Sequence, residues 1–299
     1  MKEKELIHII KSTLNSKYIG DDCAYLKDLG IVITQDSLVE NVHFSMDYIT
    51  PYQLGFKSVM VNVSDVCASG AKPQYLTIAL SLPKYVDENF VKDFYEGAKK
   101  ASQDIKIVGG DITGSDSIFI SITAIGSTQG RRISSRSHAK NGYKIIVSGE
   151  HGNSAMGLEL LNSKIVDNNN KFIKAHLMPI AQIEFSKQIA DNIDCDYAMM
   201  DSSDGLADAL IQIAKASNVS MCINSSLIPH DKNVDINKVL FGGEDYQLIA
   251  AVPENVLKNI SNYTIIGHVE NKTCGLFIDD NFYSDIDDKI YNHFEDNAL

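Results

Sequence analysis

Apolar runs rich in β-branched residues alternate with longer amphipathic segments along the chain. In the first half, short apolar runs bounded by turn-forming residues predict four strands. These are IVIT (31–34), YLTIALSL (75–82), IKIV (105–108) and IFISITAIG (118–126). Two helices are predicted between them. One begins at Thr50-Pro51, an N-cap residue followed by proline, and ends at Gly70, and the other begins at Asp87 with apolar residues at helical spacing.

The same alternation returns in the second half, after a polar and basic stretch. That stretch, RRISSRSHAKNGYK, follows Gly130, shows no periodicity and is the predicted domain junction. Strands are predicted in YKIIVSG, YAMM, YQLIAAV and YTIIGHV, and helices from Asn153, Pro179, Ser203 and Pro253. We therefore expect an α/β (α+β) protein with one domain over residues 1–137 and another over residues 138–299.

Composition narrows the class of protein. The chain has 299 residues, enough for about two domains, and its 44% apolar and 22% charged residues are typical of globular proteins. With 27 basic and 39 acidic residues the net charge is −12, and no basic run interrupts it, so no nucleic-acid partner is expected. No stretch suits a membrane span, and MKEKELIHIIKS lacks the layout of a secretory signal. We expect a cytoplasmic protein without membrane contact.

Acidic residues concentrate where strands are predicted to end or helices to begin. The clusters are Gly20-Asp21-Asp22, Thr34-Gln35-Asp36, Gly109-Gly110-Asp111, Asp201-Ser202-Ser203-Asp204-Gly205 and Gly242-Gly243-Glu244-Asp245. Any one of them alone is better explained as an ordinary turn. Together they favour a binding site, because ligands bind where strand ends converge and bare glycine backbone lets a ligand approach a carboxylate. We expect the five turns to face one cleft.

A further acid, Asp65, lies in a polar stripe on the first predicted helix. The stripe comprises Ser58, Asn62, Asp65 and Ser69. No lysine or arginine stands at the neighbouring helical positions, so Asp65 has no local ion-pair partner. A solvated face would carry long Lys or Glu side chains instead. A functional role and a purely solvated one both stay open for Asp65 at this point.

Close carboxylates need a counter-ion. Two unit charges 4 Å apart cost about 4 kcal/mol at an effective dielectric of 20. The five cysteines form no CxxC pair, and no histidine cluster is evident, so the chain suggests neither a disulfide framework nor a zinc site. A hard, oxygen-binding cation such as Mg²⁺ is therefore favoured, and such ions commonly bridge carboxylates to nucleotide phosphates. Neither a P-loop nor the protein-kinase motifs are present.

An ordered set of motifs is similar to one known family. The motifs are GDDCA (20–24), TQDSLVENVHF (34–44), VNVSDVCASGAKP (61–73), IVGGDITGS (107–115), SRSHAKNG (135–142), DSSDGLADAL (201–210) and GGEDYQL (242–248). In this order, and extending to Tyr291, they resemble the thiamine-monophosphate kinases. That family belongs to a superfamily with aminoimidazole ribonucleotide synthetase and selenophosphate synthetase. The resemblance covers nearly the whole chain.

The resemblance implies a fold and a reaction. The N-terminal domain would bind ATP and Mg²⁺, and its mixed sheet would pair across a homodimer into a barrel, while the C-terminal domain would be α/β. ATP and thiamine monophosphate would give thiamine diphosphate and ADP, with several Mg²⁺ ions between the phosphates. Because transfer of this kind rests on positioning and charge neutralisation, no side chain is expected to act as a general base or nucleophile.

The resemblance also implies roles for individual residues. Metal ligation falls to Asp22, Thr34, Gln35, Asp36, Asp65, Asp111, Asp201 and Asp204. ATP binding falls to Gly110, Asp111, Arg136 and Ser203, and binding of the thiamine phosphate to His43, Glu244 and Tyr291. Gln35 departs from the family, which commonly has threonine there. If the position serves through its main chain the change is harmless; otherwise the longer amide repositions or one ion is held less well. Asp21 and Asp245 are expected to serve turns.

Ordinary structural roles are the alternatives to these functional assignments. Without the family, His43 is better explained by packing and Arg136 as a solvated linker charge, and Tyr291 could cap the C-terminal core. For the whole protein, two alternatives stay open. One is another ATP-using member of the superfamily, either selenophosphate-forming or a cyclo-ligase. The selenophosphate-forming type needs a reactive cysteine or selenocysteine, and Cys23 has the setting of a small buried residue. The other alternative is a non-enzymatic, acidic metal-binding protein.

Overall fold

The structure, a computed structural model, describes residues 3–165 and 167–290, which contain two mixed sheets, eight α-helices and four short 3₁₀ helices. The helices are α1 (Glu3–Leu14), α2 (Pro51–Ala68), α3 (Glu88–Ser102), α4 (Asn153–Asn162), α5 (Lys171–Leu177), α6 (Ile183–Asn192), α7 (Leu206–Ser217) and α8 (Ile236–Phe241). The strands are β1 (Ala24–Leu26), β2 (Ile31–Val39), β3 (Lys72–Leu82), β4 (Lys106–Gly114), β5 (Phe119–Ser127), β6 (Lys144–Val147), β7 (Ala198–Asp201), β8 (Ser220–Ile223), β9 (Leu248–Val252), β10 (Thr264–Glu270), β11 (Gly275–Ile278) and β12 (Asn281–Tyr283). The predicted α/β (α+β) class is confirmed.

The first sheet has the strand order β1-β2-β5-β3-β4 and corrects two predictions. Asp36 and Asp111 do not follow strands but lie within β2 and β4, because both strands pair with their neighbours well beyond the predicted ends. A Cβ on Gly110 would come 1.7 Å from the Ile78 carbonyl oxygen of β3. Glycine at this position therefore permits the close pairing of β3 with β4.

The second sheet has the order β12-β11-β8-β10-β6-β9-β7, with all pairs antiparallel except β8-β11. The helix predicted to open at Pro179 begins later than expected, because α6 starts at Ile183. The helix predicted from Ser203 begins at Leu206. The Asn170 side chain accepts hydrogen bonds from the backbone N–H groups of Phe172 and Ile173 and so starts α5, a helix that the apolar pattern did not indicate.

Helix α2 is buried on nearly every side and connects the two sheets. It begins with a capping box between Thr50 and Gln53, with Pro51 in the first turn. It packs on β2 and β5 on one side and approaches β7 and α6 on the other. A Cβ on Gly55 would come 1.9 Å from the Phe94 carbonyl oxygen, so glycine lets α3 cross α2 closely. Side chains projecting from α2 can therefore reach groups of both sheets.

One buried apolar cluster includes residues of both halves of the chain, among them Val59, Ile122, Tyr197 and Leu248. The division between residues 137 and 138 falls within a short 3₁₀ turn, Arg136–His138, and stays a prediction. Among the described residues, no helix is both long and apolar enough to cross a membrane.

Candidate functional site

A cavity of about 770 Å³ lies between β2, α2 and the loops that flank β7 and β9. Most of the residues singled out from the sequence line it: Asp22, Thr34, Gln35, Asp36, His43, Asp65, Arg136, Ser203, Asp204 and Glu244. The cavity has an acidic end, near α2 and β7, and a second end, near α5 and the loop before β9.

The acidic end is built around three carboxylates from three different elements. Asp22 precedes β1, Asp65 lies on α2 and Asp201 ends β7, and each offers an oxygen within 4.8 Å of the other two. Burial and the neighbouring carboxylates raise the pKa of Asp65 well above its usual range. Burial, with Asp22 beside it, raises the pKa of Asp201 to about 8, and burial raises that of Asp36 to about 6. This cluster therefore binds protons or a cation at neutral pH.

Hydroxyl and amide groups hold these acids in place. Thr34 Oγ1 donates to Asp65 Oδ2 at 2.6 Å, and Ser64 Oγ donates to Asp201 Oδ2 at 2.5 Å. The backbone N–H of Asp36 donates to Asn62 Oδ1 at 2.9 Å. Asp65 lines the cavity and Asn62 is buried, so this part of the stripe is not a solvated helix face.

The other two members of the stripe bond to their own helix. Ser58 Oγ donates to the Leu54 carbonyl oxygen and Ser69 Oγ to that of Val66, both at 2.7 Å. Only part of the polar pattern on α2 therefore belongs to the site.

Arg136 lies at the acidic end and is not a solvated linker charge. Its Nη2 is 2.9 Å from Asp22 Oδ1, and its Nη1 donates to Gln212 Oε1 at 2.5 Å. Its backbone N–H donates to Asp21 Oδ1 at 2.7 Å, so Asp21 orders the turn that presents the guanidinium. Arg136 Nε is buried and has no hydrogen-bond partner within the described part of the chain. The guanidinium thus has an unused donor beside the carboxylates.

Asp204 and Ser203 line the cavity in the loop between β7 and α7. Burial, together with the charge of Asp208, raises the pKa of Asp204 to about 7. Asp208 itself is fully buried and is paired with Lys4 of α1 at 2.9 Å. Lys4 therefore neutralises Asp208 and not Asp204, which lines the cavity.

The second end of the cavity contains an ion pair around Glu244. Lys57, buried on α2, places its Nζ 3.1 Å from Glu244 Oε2, and His176 Nδ1 lies 3.3 Å from the same oxygen. Burial alone would raise the pKa of Glu244, but Lys57 together with the neighbouring His176 and His43 outweighs burial and lowers that pKa. Burial lowers the pKa of His176 to about 3, so its ring is neutral at pH 7. Glu244 is therefore ionised and fixed.

Aromatic and imidazole rings complete this end. Tyr48 meets the His176 ring edge-on with centroids 6.2 Å apart, and both rings line the cavity. His43 Nδ1 accepts the backbone N–H of Val39 at 3.1 Å, so its tautomer carries the proton on Nε2. His176 Nε2 is buried without a hydrogen-bond partner among the described residues. The pocket combines a carboxylate, two imidazoles and a phenol.

The loop that carries Glu244 is held in an uncommon backbone conformation. Glu244 and Tyr246 have φ values of 65° and 50°, in the left-handed region. Between them, Asp245 accepts the backbone N–H groups of Gly152 and Ser154 at 2.5 and 2.8 Å and so caps α4. These two hydrogen bonds fix the loop. Asp245 therefore has a structural role, while Glu244 faces the cavity.

Two predicted site residues lie far from the cavity of their own chain. Asp36 pairs with Ile122, Ile122 with Ile78, and Ile78 with Gly110, three strand spacings in all. At about 4.8 Å per spacing, Gly110 and Asp111 are about 14 Å from Asp36 across the sheet. They lie on the exposed edge strand β4. Tyr291 lies outside the described residues.

Sequence reasoning missed Lys57, Ser64 and His176. A signal existed for Lys57, since it is a lone charge within the otherwise apolar run LGFKSVMV, which indicates a buried ion pair. Nothing in the short segment around His176 distinguished it, because its role depends on a contact with a loop far along the chain.

Comparison with known proteins identifies the class of protein to which this fold and its carboxylate-lined cavity belong. The family model "AIR synthase related protein, N-terminal domain" matches residues 20–128. The thiamine-monophosphate kinase of Aquifex aeolicus is 37% identical and that of Bacillus subtilis 33% identical, over 97% and 99% of this chain and 97% and 100% of their own lengths. A solved structure, AaThiL complexed with AMPPCP and TMP, superposes with a TM-score of 0.89 at 36% identity, covering 98% of this chain and 97% of that one. The chain belongs to the thiamine-monophosphate kinase family.

Proposed function

We propose that this protein transfers the γ-phosphoryl group of ATP to thiamine monophosphate, giving thiamine diphosphate and ADP. A phosphate oxygen of thiamine monophosphate forms the new bond to the γ-phosphorus, and the bond from that phosphorus to the ADP oxygen breaks. The acceptor oxygen is already ionised near neutral pH, so no side chain needs to remove a proton. The observation that carries the proposal is one cavity with a carboxylate cluster at one end and the Lys57-paired Glu244 at the other.

The acidic end suits Mg²⁺. Its donors are carboxylate oxygens, which Mg²⁺ prefers, and their raised pKa values indicate that they lack a compensating charge. We assign Asp22, Asp36, Asp65, Asp201 and Asp204 to the metal, with Thr34 orienting Asp65. The Gln35 side chain accepts a hydrogen bond from Thr123 at 3.1 Å, which favours a main-chain contribution from Gln35. When bound, Mg²⁺ neutralises charge between these carboxylates and the phosphates.

The chain's own groups position the two anions. Arg136 and Ser203 line the cavity beside the carboxylates and offer donors to the nucleotide phosphates. At the other end, ionised Glu244 and His43 bind the thiamine moiety, whose thiazolium is cationic and whose pyrimidine carries polar edges. Holding two anions in line replaces a bimolecular encounter by a positioned one, and this supplies much of the acceleration.

We further propose a homodimer in which Gly110 and Asp111 serve the cleft of a second copy. Strand β4 pairs only with β3 among the described strands, and Val108 and Ile112 on it are 57% and 63% exposed. A long edge strand with exposed apolar residues invites pairing with another chain. Such pairing supports the barrel expected from the resemblance, and it reconciles the distance of Asp111 from its own cleft with a role at a metal site.

A direct assay tests the reaction. The protein is incubated with ATP, Mg²⁺ and thiamine monophosphate and followed by phosphorus NMR. We expect the signals of a diphosphate ester and of ADP. Formation of AMP and orthophosphate would favour an ATP-dependent synthetase, but Cys23, the cysteine nearest the expected reactive position, is only 6% exposed and burial raises its pKa well above the usual range. Metal binding without turnover would contradict the kinase. Cytoplasmic location stays a prediction.

A further inference from the structure

A second group of metal-binding side chains lies on the outer face of the second sheet. Cys222 on β8 stands directly opposite His268 on β10, and Glu270 follows on the same face of β10. One donor atom from each of the three side chains lies within 4.8 Å of the other two. Their strand neighbours Met221 and Val269 point the other way and are fully buried in the core. The sheet therefore presents the three donors together on a rigid surface.

We infer that Cys222, His268 and Glu270 form a binding site for Zn²⁺ or a similar divalent transition-metal ion. A thiolate, an imidazole and a carboxylate are the three ligand types that zinc accepts, and three protein ligands leave a fourth position for water. Zinc–ligand bonds of about 2.0–2.3 Å place donor atoms about 3.5 Å apart. Side-chain rotations that move the donor atoms by about 1 Å therefore bring them to bonding distance of one ion. The thiolate and the carboxylate together neutralise a dication.

Two cationic or hydrogen-bonding side chains contact Glu270 where the metal ion would bind. His268 Nε2 lies 2.8 Å from Glu270 Oε1, and the Lys272 ammonium contacts the other carboxylate oxygen. The Lys272 side chain is 62% exposed, so it can turn into water when a metal ion replaces it. Burial and the charge of Glu270 raise the pKa of the Cys222 thiol, and a bound cation reverses the effect of Glu270. Metal binding therefore releases the thiol proton to solvent.

This site differs from the carboxylate-lined cavity in its position and in its donor atoms. Strands β6 and β9 lie between β10 and β7, which carries Asp201. The cleft offers hard oxygen donors, whereas the Cys222 thiolate selects softer ions over Mg²⁺. The zinc site does not depend on the proposed kinase activity, and its occupancy leaves the cleft residues untouched. By joining β8 to β10 it should stabilise the outer part of the sheet.

Cobalt titration of the whole protein tests the inference. With saturating Mg²⁺ present to occupy the carboxylate cleft, Co²⁺ is added and the near-ultraviolet thiolate-to-metal charge-transfer band is recorded. We expect one equivalent of Co²⁺ to produce the band and equimolar Zn²⁺ to abolish it. Cys222→Ser should eliminate the band, and His268→Ala should weaken binding at least about tenfold.

Cys274→Ser is the matched control. Cys274 is a half-buried cysteine directly before β11, its Sγ donates to the Ala214 carbonyl oxygen, and it has no part in the cluster. It should leave the band unchanged. Absence of the band in the wild-type protein, or its persistence in Cys222→Ser, overturns the inference. Each variant is first checked for an unchanged melting temperature in chelator, and Glu270→Gln, which keeps the size of the side chain, provides a second test that should weaken Co²⁺ binding.

Discussion

Lys57 Nζ lies 3.1 Å from Glu244 Oε2, where the middle of α2 meets the loop before β9. The side chain of Lys57 is 1% exposed and that of Glu244 is 26% exposed, so the ammonium is sealed in the core while the carboxylate reaches the cavity. The two residues are 187 positions apart in the chain. The pair fixes the charge and direction of a group that we assign to the thiamine moiety.

Lys57→Met should impair binding of thiamine monophosphate selectively. Without the ammonium, Glu244 loses the charge that lowers its pKa and is no longer held towards the cavity. Loss of a charge-assisted contact costs about 1.5–3 kcal/mol, so KM for thiamine monophosphate should rise about 10-fold to 100-fold while KM for ATP changes little. Steady-state kinetics with each substrate varied in turn make the measurement. Equal increases in both KM values would show a general disturbance instead.

The same substitution should lower the free energy of unfolding by about 1–3 kcal/mol, because the cavity-facing Glu244 carboxylate loses its charged partner. Lys99→Met, on the exposed face of α3, is the control and should change neither KM nor stability. Denaturant titration measures the difference.

Asp65→Asn should abolish turnover without loss of stability. The variant keeps an acceptor for Thr34 Oγ1 but removes a carboxylate from the cluster, so kcat should fall about 100-fold or more. Burial and repulsion already penalise the Asp65 charge, so the melting temperature in chelator should not decrease. Phosphorus NMR and thermal unfolding give the two readouts, with the exposed Asp104→Asn as control. Near-normal turnover in Asp65→Asn would remove this residue from the metal site.

Mixing two inactive variants should restore activity if the cleft is shared between copies. In a heterodimer of Asp65→Asn with Asp111→Asn, one composite site carries both changes and the other carries neither. Random exchange of subunits in an equimolar mixture therefore predicts recovery of about a quarter of the wild-type activity. Activity is measured after subunit exchange at increasing protein concentration. If recovery fails although exchange is demonstrated, Asp111 does not act in the cleft of the second copy.

Stability in chelator should fall as the pH rises from about 6.5 to about 8.5. Burial raises the pKa of Asp204 to about 7 and of Asp201 to about 8, above the values in an unfolded chain. Such groups favour folding while protonated, so their contribution is complete at low pH and is lost as the pH rises through the folded pKa. Mg²⁺ should remove most of this loss. A melting temperature that is equally pH-dependent with and without Mg²⁺ would contradict the assignment of these acids to the metal.

His151 should destabilise the protein in acid. The ring is fully buried, neither nitrogen has a hydrogen-bond partner among the described residues, and burial lowers its pKa to about 4. Between the unfolded pKa of about 6.5 and this value, only the unfolded chain binds the proton, so about 2–3 kcal/mol of stability is lost as the pH falls from about 7 to about 4. His151→Leu should reduce that loss. Denaturant unfolding at both pH values measures it, and an unchanged difference would contradict the prediction.

Local signals were sufficient for the principal elements and for the residue types of the site. The N-cap Thr50 followed by proline placed the start of α2, and apolar runs placed β5 and β9 close to their observed bounds. The predictions failed where strand pairing or a side-chain cap, and not the local apolar pattern, set the bounds of an element. Strand β4 continues through Gly109-Gly110-Asp111 because β3 supplies partners along its whole length, and α5 begins at a side-chain cap in a polar loop.

The sequence by itself determined which residues carry the chemistry, because carboxylates, glycines and an arginine in ordered motifs restrict what they can bind. Only the tertiary structure decided which of them meet. Asp22, Asp65 and Asp201 converge because α2 lies between the two sheets, whereas Asp111, in an equally acidic motif, remains at the edge strand. The pairing of Lys57 with Glu244, and of Cys222 with His268, arises in the same way. Contacts between distant segments depend on how helices and sheets pack, and no local pattern encodes that packing.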